Sequence, residues 1–239
     1  MVEEKKEALA LVLQDLVFSW GADKPLLGIK QLVVKKGERL FLQGASGSGK
    51  STLLGLLSGV LVPSSGNLSV LGQPLSTLSA GERDRFRADH IGIVFQMFNL
   101  LPYLSILANV TLPCRFSKSR MARAKANGGL EQEAKRLLIA LGLGDELLAK
   151  PVMELSVGQQ QRVAAARALI GGPELVIADE PTSALDTDHR EKFVELLMTE
   201  CAAHGTTLVF VSHDPSLALS FDRSVNLGDI NQSFGGGGM

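Results

Sequence analysis

A glycine-rich turn between an apolar strand and a helix constrains this chain more than any other feature. Residues 39–42 have the pattern of a short buried strand, and residues 50–58 have the pattern of a helix. The segment between them, residues 44–52, fits the pattern G-x-x-x-x-G-K-[ST]. In such a turn the backbone N–H groups point inward at phosphate oxygens, and the helix that follows adds the positive end of its dipole. The sequence therefore predicts a phosphate-binding loop at the end of a strand.

The side chains of this loop have separate expected roles. Lys50 is placed to neutralise the β- and γ-phosphates of a bound ligand, and Ser51 to ligate Mg²⁺. A chance glycine turn is the alternative, and the flanking strand and helix disfavour it. The residues expected to contact the nucleotide are Gly44, Ala45, Ser46, Gly47, Ser48, Gly49, Lys50, Ser51 and Thr52.

Composition excludes several classes of protein. The chain has 239 residues, 24 Lys and Arg against 25 Asp and Glu, and 45% hydrophobic residues. This near-neutral charge lacks the basic surface of a nucleic-acid binder or of a protein held to anionic lipid, so we expect no nucleic-acid partner. Cys114 and Cys201 have no metal-ligand spacing and are expected to be reduced thiols. No stretch predicts a secretory signal or a membrane span. We expect a cytoplasmic protein that reaches the membrane only through a partner.

Strands and helices alternate on both sides of a helical middle section. Strands are predicted at residues 9–18, 29–34, 39–42, 91–95, 175–178 and 207–211, and helices at 50–58, 131–141, 159–170 and 188–203. The pattern indicates one α/β domain, with a core of residues about 8–95 and 157–228 and a helical insertion of residues about 96–156. Residues 229–239, which end in glycines, are predicted to be a flexible tail.

Polar side chains follow two of the apolar strands. Asp179 and Glu180 come after residues 175–178, and His213 follows residues 207–211. Ligands of parallel sheets lie outside the carboxyl ends of the strands, so Asp179 is expected to hold Mg²⁺ beside the loop. Glu180 is expected to polarise the attacking water, and His213 to orient it. Alone, the carboxylates are typical of an exposed turn and the histidine of a structural residue; the phosphate loop favours the functional interpretation.

A second anion site is indicated at residues 155–162. Ser156 is a suitable N-cap for the helix that follows, and Gly158 leaves backbone N–H groups bare at the positive helix end. By itself this segment is also compatible with an ordinary helix start.

Together these segments resemble the ABC-transporter ATPase family over residues about 8–228. The motifs stand in the family's order: the Walker A loop at 44–52, the Q-loop at Gln96, the signature at 155–159, the Walker B end at Asp179 and Glu180, the D-loop at 183–186 and the switch histidine at His213. The resemblance implies a P-loop NTPase core with a mostly parallel sheet, an N-terminal antiparallel β part and a helical subdomain. It also implies that Gln96 binds Mg²⁺ and contacts the attacking water, and that Ser156, Gly158 and Gln159 contact ATP.

Two positions need comment within this resemblance. The usual first glycine of the signature is Val157 here, while Ser156 and Gly158 keep the hydroxyl and the bare backbone. The aromatic residue that stacks on adenine would be Trp20; a core or rim indole is the alternative. Residues 91–102, Asn109-Val110 and Leu112-Pro113 resemble the lipoprotein-release and macrolide-export ATPases in particular.

The resemblance implies an ATPase subunit that forms a homodimer around two ATP and drives a transmembrane permease, in export or extraction. The apolar residues from Gln96 to Leu107 are too numerous for a solvated loop, so they predict a groove for a permease helix, packing of the insertion itself, or both. A soluble ABC-type ATPase acting on DNA or ribosomes is the alternative, but such proteins carry coiled coils or two ATPase units. A nucleoside kinase fits less well, because it needs an acceptor pocket.

Overall fold

Two β-sheets and a helical layer build the protein. The computed structural model describes residues 8–21, 24–148, 150–183 and 185–234. The strands in this part of the chain are β1 (Leu9–Phe18), β2 (Leu27–Lys35), β3 (Arg39–Gln43), β4 (Ser65–Val70), β5 (Gln73–Pro74), β6 (Ile91–Val94), β7 (Leu175–Asp179), β8 (Thr207–Val211) and β9 (Arg223–Asn226). The helices are α1 (Lys50–Leu57), α2 (Ala80–His90), α3 (Ile106–Thr111), α4 (Pro113–Phe116), α5 (Lys118–Ala126), α6 (Leu130–Ala140), α7 (Val157–Leu169), α8 (Thr187–Ala203) and α9 (Leu227–Ile230).

The parallel sheet has the strand order β6-β7-β8-β3-β9 and is covered on both faces. Alternate residues of β3 and β8 divide between two buried clusters: Phe41 and Phe210 face the helical layer, while Leu42 and Val209 face α1 and the second sheet. Both faces of these strands must be apolar, so they have the near-continuous hydrophobic runs seen in the sequence. The predicted parallel α/β core is confirmed.

The second sheet is antiparallel, with the order β2-β1-β4-β5. Val12 of β1 pairs with Val33 of β2 and with Ser69 of β4. Leu11, Leu13 and Leu68 point from this sheet into the cluster that also holds the leucines of α1. The sheet thus fixes α1, and with it the glycine-rich turn, against the parallel sheet. The predicted antiparallel β part is confirmed.

Helices α3 to α6 occupy the predicted helical insertion, and residues 96–148 and 150–156 contain no strand. Their buried residues share one cluster with α7, α8 and the parallel sheet. Arg120 of α5 strengthens this contact, since its side chain is buried and donates to the carbonyls of Ile170, at 2.8 Å, and Ala168, at 2.6 Å. Burial lowers the pKa of Arg120 to about 10, so its guanidinium stays charged at neutral pH. The insertion is therefore anchored to the end of α7.

Two regions differ from the sequence interpretation. Helix α2 was not predicted because none of its residues is buried and apolar periodicity is absent, although Ser79 and Glu82 form a capping box at its start. The tail prediction is wrong for residues 229–234. Here α9 is followed by buried Asn231, which accepts from Gly28 N at 2.8 Å and donates to Leu26 O at 3.0 Å. Residues 1–7 and 235–239, and Ala184 of the D-loop, lie outside the described residues.

Within the described ranges, the structure has no helix of the length and apolarity that crossing a membrane requires.

Candidate active site

A cleft of about 570 Å³ lies at the carboxyl ends of β6, β7 and β8 and over the turn that joins β3 to α1. It brings together most of the predicted nucleotide and catalytic residues. Its lining consists of Leu26, Ser46, Gly47, Gly49, Lys50, Ser51, Thr52, Gln96, Asp179, Glu180 and His213. Leu26, directly before β2, is the one lining residue in the described part of the chain that the sequence interpretation missed, because nothing local to it indicates a site.

Two glycines give the turn its shape. Gly47 and Gly49 have φ values of +77° and +97°, which side chains other than glycine rarely adopt. A Cβ on Gly49 would also lie 2.7 Å from Leu27 Cδ2, so β2 closes over the turn at this point. These constraints curl the backbone toward the cleft and place α1 directly behind it.

Lys50 lies across the turn. Its ammonium group donates to Gly44 O at 2.7 Å and to Ala45 O at 3.0 Å. Ser48 is buried beneath the turn, and its hydroxyl has no hydrogen-bond partner among the described residues. A buried hydroxyl with no partner is costly. The turn thus offers the Lys50 ammonium group to an anion in the cleft, which fits a phosphate, while the Ser48 hydroxyl does not line the cleft.

Glu180 is held between a lysine and a histidine. Its Oε2 lies 2.7 Å from His213 Nδ1, and its Oε1 lies 3.9 Å from Lys50 Nζ. The backbone of Glu180 has a φ of +44°, and its N–H donates to Val211 O at 3.0 Å. Left-handed backbone is unfavourable for a glutamate and costs on the order of 1–3 kcal/mol, so the neighbouring strand must impose it. The result aims the carboxylate into the cleft.

Asp179 has the electrostatic character of a cation ligand. Burial raises its pKa, the neighbouring Glu180 raises it further, and Lys50 opposes both effects. A divalent cation would favour the ionised carboxylate. Asp179, Ser51 and Gln96 present oxygen donors in the same cleft. Among the described residues, including those of this cleft, no group of three or more His, Cys, Asp or Glu side chains could hold a metal without other ligands. This small set of oxygen donors fits Mg²⁺, which usually takes its remaining ligands from phosphate and water.

The start of α7 does not line this cleft. Ser156 forms a capping box, in which its hydroxyl accepts from Gln159 N at 3.3 Å and its N–H donates to Gln159 Oε1 at 2.9 Å. Ser156 and Val157 are exposed, and Gly158 lies against Leu185 of the D-loop. The residues predicted for the signature are thus assembled as a helix terminus, but away from the other nucleotide residues of their own chain.

Trp20 also lies outside the cleft lining. It is 54% exposed, and its ring packs edge-on against Phe18 with 5.0 Å between the ring centroids. Its stacking on adenine stays a prediction.

The loop after Gln96 is fixed by two polar residues, and the sequence interpretation assigned this role to neither of them. Arg167 of α7 is buried and donates to the carbonyls of Phe98 and Asn99, both of which have positive φ. Asn109 is fully buried and bonds the backbone of residues 101–105. The only local signal was a charged or amide side chain within an apolar helix.

The apolar residues of this loop divide between the two expected roles. Phe98, Leu100 and Leu107 pack against the core, whereas Met97 and Tyr103 are 81% and 79% exposed.

A phosphate-type loop and an acidic strand end at one edge of a parallel sheet define a P-loop nucleotide-binding protein. Residues 29–183 match the family described as ABC transporter. The chain is 46% identical over 197 residues to the ABC transporter ATP-binding protein YbbA of Escherichia coli (strain K12), covering 82% of this chain and 83% of that protein. It belongs to the ABC transporter family.

Other relatives agree. The macrolide export ATP-binding/permease protein MacB of Shewanella sp. (strain W3-18-1) is 42% identical over 199 residues, which are 83% of this chain but 29% of that protein. The ATP-binding cassette MJ0796, in a dimeric post-hydrolysis state bound to ADP and Pi, superposes with a TM-score of 0.79 at 35% identity, covering 90% of this chain and 93% of that one. The chain is therefore the ATP-binding, ATP-hydrolysing subunit of an ABC transporter. None of these relatives is named for work on DNA or ribosomes.

Proposed function

We propose that two copies of this chain close around two Mg·ATP, and that closure and hydrolysis drive a membrane permease in export or extraction. The observation that carries the dimer is the position of α7. Its capped, exposed N-terminus presents bare N–H groups and a positive dipole end, yet it does not line the cleft of its own chain. A second copy can bring that terminus to the phosphates bound at the first. MJ0796, a structural relative, is itself recorded as a dimer.

We infer the division of labour in the cleft from its geometry. Lys50 exchanges the carbonyls of Gly44 and Ala45 for phosphate oxygens, whereas the Ser48 hydroxyl stays buried beneath the turn and outside the cleft lining. Ser51, Gln96 and Asp179 hold Mg²⁺, which neutralises phosphate charge when bound.

Hydrolysis then needs a base beside the γ-phosphate. Glu180 is aimed into the cleft and accepts a proton from water as the water oxygen attacks the γ-phosphorus, so that ADP and phosphate leave. His213, hydrogen-bonded to Glu180, orients that carboxylate and the water.

The dimer is tested with Glu180→Gln, which removes the base and leaves the phosphate loop intact. With Mg·ATP, light scattering coupled to gel filtration is expected to show a stable dimer, whereas without nucleotide the variant stays monomeric. A monomer at saturating ATP contradicts the proposal.

A charge added at the start of α7 tests whether this helix terminus, rather than any helix terminus, is needed for the dimer. In the Glu180→Gln background, Val157→Glu places a carboxylate at the first position of α7, where the helix dipole favours it but a facing phosphate repels it. Loss of the dimer is expected. Ala80→Glu is the matched control, because it sits at the first position of α2 behind an equivalent capping box. It is expected to keep the dimer, and an equal loss in both variants would reject the assignment of α7.

We propose that the permease docks in a groove of about 450 Å³ between α2, β6 and α4. Phe95 and Phe116 line it and are 40% and 74% exposed, and its walls are mainly apolar. The groove borders Gln96. The proposed docking site therefore lies next to the stretch from Gln96 to Leu107, for which the sequence predicted a permease groove. A permease helix with apolar side chains on the cytoplasmic face is the expected occupant. MacB supports this, since it is named as both ATP-binding and permease protein and matches this chain over only 29% of its length.

Docking is tested by reconstituting the ATPase in liposomes with a membrane permease that co-purifies with it. Phe116→Asp is expected to keep the hydrolysis rate of the free subunit and to lose stimulation by the permease. Leu219→Asp is the control, because Leu219 is 96% exposed on another surface. If the permease stimulates the Phe116→Asp variant fully, the permease does not dock in this groove.

A further inference from the structure

Arg190 of α8 ties together two loops of the active site. Its guanidinium forms an ion pair with Asp214 and donates through Nη2 to Leu185 O at 3.0 Å. The side chains of Arg190 and Asp214 are only 23% and 22% exposed. Water screens a partly buried pair less than an exposed one, so this contact holds its geometry better than a surface pair.

Both partners of Arg190 are next to functional segments. Asp214 directly follows His213, whose ring is hydrogen-bonded to Glu180. Leu185 lies in the D-loop, between Glu180 and the start of α8, and its Cδ2 would lie 3.3 Å from a Cβ on Gly158 at the start of α7. One guanidinium therefore joins the backbone that carries the switch histidine to the loop that runs from the catalytic carboxylate to α8 and lies beside the signature helix.

The two loops are also joined at their other ends. Glu180 N donates to Val211 O at 3.0 Å, just before His213. The Arg190 contacts close the opposite side, so the segments 180–185 and 211–214 are held at both ends. Without Arg190, the position of His213 relative to Glu180 depends on the bond from Glu180 N to Val211 O and on the hydrogen bond between the His213 and Glu180 side chains.

We propose that Arg190 is a positioning residue for ATP hydrolysis, which holds the His213–Asp214 turn and the Leu185 carbonyl at fixed separation so that His213 stays aligned with Glu180. The proposal rests on the roles given above to Glu180 and His213. Arg190 does not line the nucleotide cleft, and it acts on turnover through these two loops.

The fork of the guanidinium is needed because it makes two bonds in different directions. Lysine can keep the charge pair with Asp214 but cannot also reach the Leu185 carbonyl with the same planar geometry. Asp214 does not depend on Arg190 to hold its own turn, since its Oδ1 accepts from Ser216 N at 3.0 Å and from Ser216 Oγ at 2.7 Å. Removal of Arg190 therefore leaves the turn after His213 folded but frees its placement.

The experiment compares Arg190→Met and Arg190→Lys with the unmodified full chain. For Arg190→Met we expect kcat to fall by about ten-fold to a hundred-fold, the range expected from slight misplacement of catalytic groups. KM for ATP and the Kd of a fluorescent ATP analogue are expected to change less than about two-fold, because the phosphate loop is untouched. Arg190→Lys is expected to recover part of kcat. If Arg190 only stabilised the fold, Arg190→Met would lower the melting temperature but would not lower kcat selectively at an unchanged KM.

Two further variants locate the effect. Arg39→Met is the matched control, because it removes another arginine–aspartate pair, with Asp222, at the end of β3 remote from the cleft. It is expected to keep kcat. If Arg190 acts through Asp214, then Asp214→Asn added to Arg190→Met lowers kcat no further.

The outcomes distinguish failure of the Arg190 proposal from failure of the proposed function, in which Glu180 is the base. An unchanged kcat in Arg190→Met, or equal losses in Arg190→Met and Arg39→Met, overturns the role of Arg190. If Glu180→Gln hydrolyses ATP at the normal rate, the assignment of the base fails first. Loss of activity in Glu180→Gln together with full activity in Arg190→Met leaves the proposed function standing and rejects only this inference.

Discussion

Asn109 gives the sharpest stability prediction, because its buried amide replaces secondary structure in the loop after Gln96. Oδ1 accepts from Leu101 N at 2.8 Å, and Nδ2 donates to Leu101 O at 3.0 Å, Leu104 O at 3.2 Å and Ser105 O at 3.1 Å. Asn109 is fully buried at the junction of this loop with α3. Asn109→Ala removes all four hydrogen bonds at once.

The expected magnitude follows from which backbone groups lose their last partner. Leu101 O also accepts from Leu104 N, and Ser105 O also accepts from Asn109 N, so these carbonyls stay paired. Leu101 N–H loses its acceptor and Leu104 O loses its donor, and an unpaired group that is shielded from water costs about 1–3 kcal/mol. Adding about 1 kcal/mol for the weakened carbonyl contacts, we expect the free energy of unfolding to fall by about 2–4 kcal/mol.

The assay is urea unfolding at neutral pH, followed by circular dichroism and read as a shift in midpoint at constant slope. Thr111→Val is the control, because Thr111 lies in the same helix and makes one local bond, to Leu107 O at 2.8 Å. It is expected to change stability by about 1 kcal/mol or less. Asn109→Asp is expected to be worse than Asn109→Ala, because the new carboxylate faces three carbonyl oxygens. A loss below about 0.5 kcal/mol for Asn109→Ala, or the reverse order of the two variants, would refute the reasoning.

Three further predictions concern the active site and the sheet. Lys50→Ala is expected to abolish ATP hydrolysis in a phosphate-release assay, since it removes the cation of the turn; retained turnover contradicts its role. Asp179→Asn is expected to raise the melting temperature without nucleotide, because the raised pKa of Asp179 makes its ionised form destabilising above that pKa, and the gain should vanish as pH falls toward about 4. Gly92→Ala is expected to lower the free energy of unfolding by more than about 3 kcal/mol, since its Cβ would lie 2.3 Å from Ala168 O; a stable variant in urea unfolding would show that α7 can shift.

Much of the fold could be predicted from local patterns. The buried strands β3, β7 and β8 have continuous apolar runs, and α6 has apolar residues at helical spacing, so their bounds were predicted to within a residue or two. The exposed helix α2 and the edge strand β9 have no such pattern, because few of their side chains enter the core. Residues 229–234 follow the same rule, since their order depends on Asn231 pairing with β2, some 200 positions earlier in the chain.

The candidate site was predictable to the same extent. The turn that holds Lys50 and the carboxylates after β7 follow a strand directly, so position in the sequence nearly fixes position in space. Arg167 and Arg190 gave no comparable signal. Their partners are backbone carbonyls and a carboxylate 5 to 69 positions away, which only the packing of α7 and α8 brings within reach.

The sequence by itself determined the chemistry of this protein: a phosphate-binding turn, an acidic strand end, a capped helix and their order along one α/β chain. These are local features, because they depend on neighbouring residues and on the two-residue or 3.6-residue repeats of strands and helices. Only the tertiary structure decided how Glu180 faces Lys50 and His213, and which side chains fix the surrounding loops. Such contacts form only when whole helices and strands pack together. The spacing of apolar residues in the sequence predicts whether a side chain is buried, but it does not predict which distant group that side chain contacts.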